Sequence, residues 1–410
     1  MKLTSEFIRA IPKTDLHVHL DGSVRLPTLI DLARQTGVKL PSMTESGLRE
    51  LVFKNRYNDL TEYLAGFGYT TAVLQSPESL ERVACELAED ALAEGVRYIE
   101  VRFAPQLHCS PDFHIRQVLM AVNAGLERAG KRFNNRGEVR DGSEPPFHYG
   151  IIACALRTFS SEFSVYYKNF FAAHEYSSRR SIASLASLEL AHAAVRLRDE
   201  LGIPIVGFDL AGEEAGHPAE VHSEAYKYAH KHFMKKTVHA GEAFGPESIF
   251  QAITDLHADR IGHGYHLFSI DKLGPWIEGA SRERYVSNLA NYIADRRITI
   301  EVCLTSNLQT MPMLTDLRAH AFGKMLASRL STTLCTDNRT VSQTTVSREI
   351  QLAVEHFDIS PRELRNIIIY GFKRSFFHGT YLEKRAYVRR IIDYYDSVAK
   401  HPSGGLMERN

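Results

Sequence analysis

His17 and His19 stand two residues apart in the apolar run Thr14-Asp-Leu-His-Val-His-Leu-Asp-Gly-Ser23. In a strand, the side-chain period of two sends both imidazoles to one face. Two neutral imidazoles converging from one strand end make half of a metal site; a pair of buried, hydrogen-bonded histidines is the plainer reading. Further histidines and acids fall at the ends of other short β-rich runs, at His239, Glu242, His263 and Asp337. Imidazole and carboxylate donors without thiolate suit a catalytic Zn²⁺ that keeps one position for water. His17, His19, His239 and Asp337 would supply those donors to one Zn²⁺ per chain, and the ion would make hydroxide available near neutral pH.

Each of these residues also has a structural reading. His239 can be a core histidine, and Asp337 can cap a helix after the last strand. Glu242 lies past Ala-Gly after His239, in a turn rather than a strand continuation, so it can face a pocket without being a ligand. Protonated, it would serve as a general acid; otherwise it caps the next helix. His263 lies between Gly262 and Gly264 and can orient or deprotonate a water, or be structural. Asp209 is either a partner behind a ligand histidine or a satisfied buried acid.

These positions need a scaffold that brings distant strand ends together. Eight strand candidates alternate with helical patterns: Asp15–Leu20, Arg97–Phe103, His148–Leu156, Ile205–Leu210, Lys236–His239, Arg260–His263, Ile298–Cys303 and Ser331–Cys335. Alternation of this kind predicts a parallel sheet, and eight repeats predict a closed (β/α)₈ TIM barrel rather than an open doubly wound sheet. No G-x-G-x-x-G follows the first strand, against a dinucleotide fold. A helical insertion covers about 26–95, where it could cap the mouth. One domain spanning 1–410 is expected, with an exposed loop at Phe133–Pro146 and a frayed polar tail from His401.

Composition is that of an ordinary globular chain: 410 residues, 44% hydrophobic, with 49 basic and 49 acidic side chains. A balanced charge speaks against a nucleic-acid binder. No apolar run approaches the roughly 18 residues of a membrane helix, and the N-terminus lacks a signal-peptide core. Five cysteines without a C-x-x-C pair suggest a reducing compartment, and a cytoplasmic location is expected.

The motifs together resemble the adenosine deaminase family of metal-dependent amidohydrolases. The matching pieces are Thr14–Ser23, Val206-Gly-Phe-Asp-Leu-Ala-Gly212, Thr237-Val-His-Ala-Gly-Glu242, Arg260-Ile-Gly-His-Gly264, Leu304-Thr-Ser-Asn307 and Thr336-Asp-Asn338. They follow the family order over most of the chain. The resemblance implies a hydrolase acting on a cyclic amidine C–N bond, converting adenosine and 2′-deoxyadenosine to inosine and ammonia in purine salvage. It implies His17, His19, His239 and Asp337 as zinc ligands and Glu242 as the acid that protonates purine N1. His263 would orient the attacking water, and Asp337 would accept its proton. His19 and Asp21 would contact the ribose 5′-hydroxyl, and the Gly212 N–H would meet purine N3. Leu60, Tyr63 and Phe67 match an apolar wall over the substrate, or else form a helical core stripe. The family commonly has Thr-Asp-Asp where this chain has Thr336-Asp337-Asn338. An Asn amide carries N–H donors already, so Asn338 can take over the bond to purine N7.

The expected partner is a small-molecule purine nucleoside, with neither nucleic acid nor membrane; the sequence does not set an oligomeric state. The nearest rival is a deaminase of another 6-aminopurine, adenine or aminodeoxyfutalosine. Asp21 speaks for a ribosyl substrate, because adenine-specific relatives typically carry Glu there. A dinuclear cyclic-amide hydrolase would need a lysine at the end of strand four, and Phe208-Asp-Leu-Ala-Gly has none. A non-catalytic binding protein on this scaffold would usually have lost a ligand or the acid.

Overall fold

In the computed structural model, residues 3–400 are described, and the polar tail from His401 lies outside them. The strands are β1 (Lys13–His19), β2 (Val96–Phe103), β3 (His148–Leu156), β4 (Ile205–Ala211), β5 (Lys235–Ala240), β6 (Arg260–His263), β7 (Thr299–Val302) and β8 (Thr332–Leu334). They pair in chain order, every pair parallel. The two edges meet through Val18 and Asp337. There the His19 N–H donates to the Asp337 carbonyl at 2.8 Å and the Asp337 N–H to the His17 carbonyl at 2.8 Å. This is the (β/α)₈ barrel the alternation predicts, and its seam closes beside the first pair of histidines.

Outward-facing side chains of the strands are aliphatic and buried under helices, as Leu16 and Val18 are on β1. The interior is different. Glu100 and Arg102, two apart on β2, share the inner face with Asp209, Arg260 and Glu301, all fully or almost fully buried. Arg102 binds Asp209 at 2.7 Å and Glu301 at 2.9 Å; Arg260 binds Glu301 at 2.6 Å and also Glu100. Removing one member of such a buried set strands its partner's charge and costs about 3–5 kcal/mol. The core beneath the mouth is therefore a rigid ionic lattice.

Helices Leu26–Thr36, Glu45–Leu51, Leu60–Ala65, Phe67–Val73 and Pro77–Ala93 form the insertion after β1. Ser76 and Ser79 make a capping box at the start of the last, with Pro77 in its first turn. The insertion sits on the mouth because its bonds run to the loops after β7 and β8. The Tyr57 N–H donates to the Gln309 carbonyl at 3.0 Å, the Gln343 amide to the Phe53 carbonyl at 2.7 Å, and the Tyr63 hydroxyl meets Ser342 at 2.7 Å.

The stretch expected as an exposed loop at Phe133–Pro146 is more ordered than that. The helix from Ile115 continues to Asn134, and a turn of helix follows at Gly137–Arg140. Phe133 is buried, with Arg97 4.7 Å and Arg136 5.1 Å from its ring centroid, and the Asn134 amide bonds both backbone groups of Phe147. Local polarity hid these contacts, because the guanidinium groups lie against the face of the aromatic ring and Arg97 is buried and paired with Glu144. The segment leads into β3 at the end of the barrel opposite the mouth, where it serves stability.

Glu349, on the helix Val346–His356, is buried and accepts from the Thr305 N–H at 3.1 Å, the Thr344 hydroxyl at 2.6 Å and the Thr305 hydroxyl. It thereby holds the start of the helix Leu304–Thr310. Burial raises its carboxyl to about 7 from the ordinary 4.5. The folded state binds this proton more tightly than the unfolded chain, so its contribution is complete below pH 4.5 and is lost as pH rises through 7. The ceiling is about 3 kcal/mol. Glu349→Gln is expected to flatten the fall of Tm between about pH 4.5 and 7 relative to the parent chain; equal slopes in paired thermal melts would show that Glu349 does not titrate there.

Candidate active site

The alternation of β1 places Asp15, His17 and His19 on the inner face, with His17 and His19 nearest the mouth. β5 brings His239, β6 ends at His263, and Asp337 follows β8. His263 and Asp337 adopt φ of 63° and 59°, left-handed values that cost a non-glycine residue about 1–3 kcal/mol. Both sit where a strand breaks off and a side chain must turn into the mouth. At Gly262 a Cβ would come 2.9 Å from His17 Cε1, so glycine is what lets β6 approach the first histidine.

The groups behind the histidines set which nitrogen faces the mouth. His17 Nδ1 lies 2.8 Å from Glu301 and His239 Nδ1 lies 3.1 Å from Asp209. A carboxylate only accepts, so both Nδ1 atoms carry the proton and both Nε2 atoms present lone pairs inward. Arg102 bridges Glu301 and Asp209 and fixes the two together. His17 Nε2 is buried without a hydrogen-bond partner and lies 3.4 Å from Asp337 Oδ1. His19 Nε2 lies 3.2 Å from His239 Nε2 and 3.5 Å from Asp337 Oδ1. Asp337 Oδ2 accepts from the Ser306 hydroxyl at 2.6 Å.

His17, His239, His263 and Asp337 each offer an atom within 4.8 Å of the others, a buried group that could hold a metal ion. His19, which the sequence places among the ligands instead of His263, borders this group and is more exposed, its side chain 13% accessible. Inward lone pairs, an orphaned buried nitrogen and a carboxylate are an arrangement that a cation relieves. The donor set fits Zn²⁺.

Glu242 is buried in the loop after β5, 3.6 Å from His263 Nε2. That loop is gripped by Glu214. Its carboxylate accepts from the N–H groups of Gly241 at 2.8 Å, Glu242 at 2.9 Å, Ala243 at 2.7 Å and Phe244 at 2.9 Å, and from the Ser248 hydroxyl. Burial first, then the charges of Asp337 and Glu214, push the Glu242 carboxyl well above its ordinary range, which favours its protonated form.

Asp21 is buried, one of its oxygens has no partner, and burial raises its carboxyl to about 7. Gly212 follows β4 with φ of 94°, a conformation that suits glycine. Asn338 is buried against Gly22, where a Cβ would come 1.8 Å from its Oδ1. One of its amide hydrogens is already committed to the Tyr63 hydroxyl at 2.7 Å. Tyr63 thus tethers Asn338 to the insertion. Leu60 and Phe67 flank it half-buried, but on two helices that break at Gly66 rather than along one stripe.

Glu214, Glu301 and Arg102 escaped the sequence reading. Glu214 follows Gly212-Glu213 and reads as a solvated turn; Glu301 and Arg102 lie inside strands, where charge is not expected unless a barrel interior is polar.

The sequence profile of the family described as adenosine deaminase matches residues 12–394. An adenosine deaminase from Mycobacterium marinum is 36% identical over 376 residues, covering 91% of this chain and 92% of the relative. Among solved structures, an adenine deaminase from Arthrobacter aurescens superposes with a TM-score of 0.73 at 22% identity, covering 95% of this chain and 100% of that one. An amidohydrolase from Burkholderia ambifaria with bound Zn gives 0.74 at 20%, covering 98% and 96%. At those identities the two structures bear on the fold alone.

Proposed function

The chain belongs to the adenosine deaminase family, and on that premise we propose that it hydrolyses adenosine and 2′-deoxyadenosine to the 6-oxo nucleoside and ammonia. The observation that carries this reading is the convergence of a protonated carboxyl, Glu242, with the inward lone pairs of His17 and His239 and the carboxylate of Asp337.

We assign His17, His19, His239 and Asp337 as the residues that would hold one Zn²⁺. Bound there, the ion supplies Lewis acidity that brings the ionisation of water down toward neutral pH. The chain's own groups do the rest. Glu242 gives its proton to purine N1, which draws electron density from C6 and opens that carbon to the oxygen of water. Asp337 accepts the water's proton and His263 aligns the attacking oxygen. Asp337 passes that proton to the 6-amino group, which leaves as ammonia, while the C6 hydroxyl proton goes to the Glu242 carboxylate; N1 keeps the proton it received, so water and adenosine balance inosine and ammonia. Glu214 holds Glu242 at the height of the ring. His19 and Asp21 bind the ribose 5′-hydroxyl, the Gly212 N–H meets N3, and Asn338 meets N7 through the amide hydrogen that Tyr63 leaves free.

We take 1–410 as one deaminase domain, a reading supported by the match over 12–394 and by the insertion's bonds to the loops after β7 and β8. All five cysteines are free and buried, which suits the reducing cytoplasm. No helix among the described residues is long and apolar enough to cross a membrane.

The test is a steady-state panel of adenosine, 2′-deoxyadenosine and adenine followed by absorbance. The nucleosides are expected to exceed adenine by at least about 10²-fold in kcat/KM, since the ribose contacts of His19 and Asp21 are missing from the free base. Adenine outrunning adenosine by a large factor would reject the assignment.

A further inference from the structure

The motif Leu304-Thr-Ser-Asn307 has its serine on Asp337, but Asn307 takes no part in the steps above. Asn307 is fully buried in the helix Leu304–Thr310, and its amide bridges two imidazoles. One amide atom lies 3.3 Å from His263 Nδ1 and the other 3.1 Å from His320 Nε2.

The protons in this chain of groups can be placed from one donor whose role is not open. The backbone N–H of Phe322 can only donate, and it points at His320 Nδ1 at 3.0 Å. His320 Nδ1 therefore bears a lone pair. Burial lowers the His320 imidazole to about 3, so it is neutral and its single proton sits on Nε2. That N–H donates to Asn307, so the atom it meets is the amide oxygen. The amide nitrogen then faces His263, and it too can only donate. His263 Nδ1 accepts, and neutral His263 must carry its own proton on Nε2, the nitrogen that stands buried and unpartnered 3.6 Å from Glu242.

We propose that Asn307 and His320 are positioning residues that lock His263 as an Nε2–H donor, and so exclude it as a metal ligand and as a base. Three buried imidazoles in one mouth are sorted by what stands behind them. A carboxylate behind His17 and behind His239 leaves an inward lone pair; an amide N–H behind His263 leaves an inward proton. Proximity alone puts His263 with His17, His239 and Asp337. The hydrogen-bond wiring removes it from that set and leaves His19 as the remaining imidazole donor. His263 then donates to the oxygen that attacks C6, and its hydrogen bond strengthens as charge develops there. This rests on the deaminase reading of the pocket.

The test is a long-range proton–nitrogen correlation spectrum of ¹⁵N-histidine-labelled, zinc-loaded protein, with the His263 signals assigned by their loss in His263→Gln. A protonated Nε2 and a bare Nδ1 are expected. Asn307→Asp places an acceptor behind the ring. It should move the proton to Nδ1 and lower kcat on adenosine by about 10²–10³-fold, with KM changed far less. His320→Gln keeps a donor to the Asn307 oxygen and should retain the parent tautomer. His320→Leu removes that donor and should give a mixture, which supplies a second variant if Asn307→Asp does not fold. An Nδ1–H His263 in the parent protein would overturn the inference, as would an Asn307→Asp protein that keeps Nε2–H and parental kcat. The spectrum is read without turnover. A parent protein that fails to deaminate counts against the functional reading, whereas an Nδ1–H His263 in a working deaminase counts against the wiring alone.

Discussion

Replacing Glu242 by Gln is expected to lower kcat on adenosine by about 10²–10⁴-fold, the range that a positioned general acid supplies, while metal content and Tm near neutral pH stay close to the parent's. The amide keeps the size of the carboxyl and leaves the loop's N–H groups on Glu214, so the fold of the site survives. What it loses is a proton that N1 can take. Burial beside Asp337 and Glu214 favours the protonated form of the parent carboxyl, so a neutral amide changes little in the electrostatics of the resting site. The same environment sets the sign of the pH profile. The working form is protonated, so kcat/KM should decline as pH rises through the raised Glu242 value, and that alkaline limb should vanish from the residual activity of the variant. Rate measurements across pH, with zinc measured on the same samples, decide it. A Glu242→Gln protein within tenfold of the parent would remove Glu242 from the role of acid.

Stripping the metal should abolish turnover outright and also lower stability. Without a cation, the Nε2 atoms of His19 and His239 share at most one N–H···N bond at 3.2 Å, and the buried Nε2 of His17 beside them has no partner. A ligand that binds the folded state alone at a thousandfold excess over Kd contributes about 4 kcal/mol. Dialysis against a chelator should therefore depress Tm by several degrees and leave no measurable deamination, and one equivalent of Zn²⁺ per chain should restore both. Mg²⁺ should not, since it prefers an octahedral oxygen shell to imidazole nitrogen. Full activity in protein shown to be metal-free would refute the site. Two tightly held ions per chain would point to a dinuclear hydrolase instead.

Much of this site was legible from residue order. In β1 the period of two commits His17 and His19 to one face whatever the rest of the chain does, and the inward face of a parallel barrel opens at the C-terminal strand ends. Hence His239, His263 and Asp337 could be placed together from local pattern and fold class. Glu242 could be separated from the ligands because Ala-Gly turns the chain before it. The family motifs carried the substrate class, which spacing does not contain.

The orientation of those groups was decided elsewhere. Glu301, which accepts from His17 Nδ1–H, stands 284 residues away from it, and Glu214 grips the Glu242 loop from the end of a different strand. Asn338 has two N–H donors in any sequence context, yet the insertion's Tyr63 commits one of them. His263 has two equivalent-looking nitrogens until Asn307 and His320 stand behind it. The periodicity of a strand is a property of its own backbone, so the chain's order determines which side chains share a face. Ring tautomers, amide orientations and buried ion pairs depend on which donor faces which acceptor across the barrel, and that register exists only once all eight strands have closed.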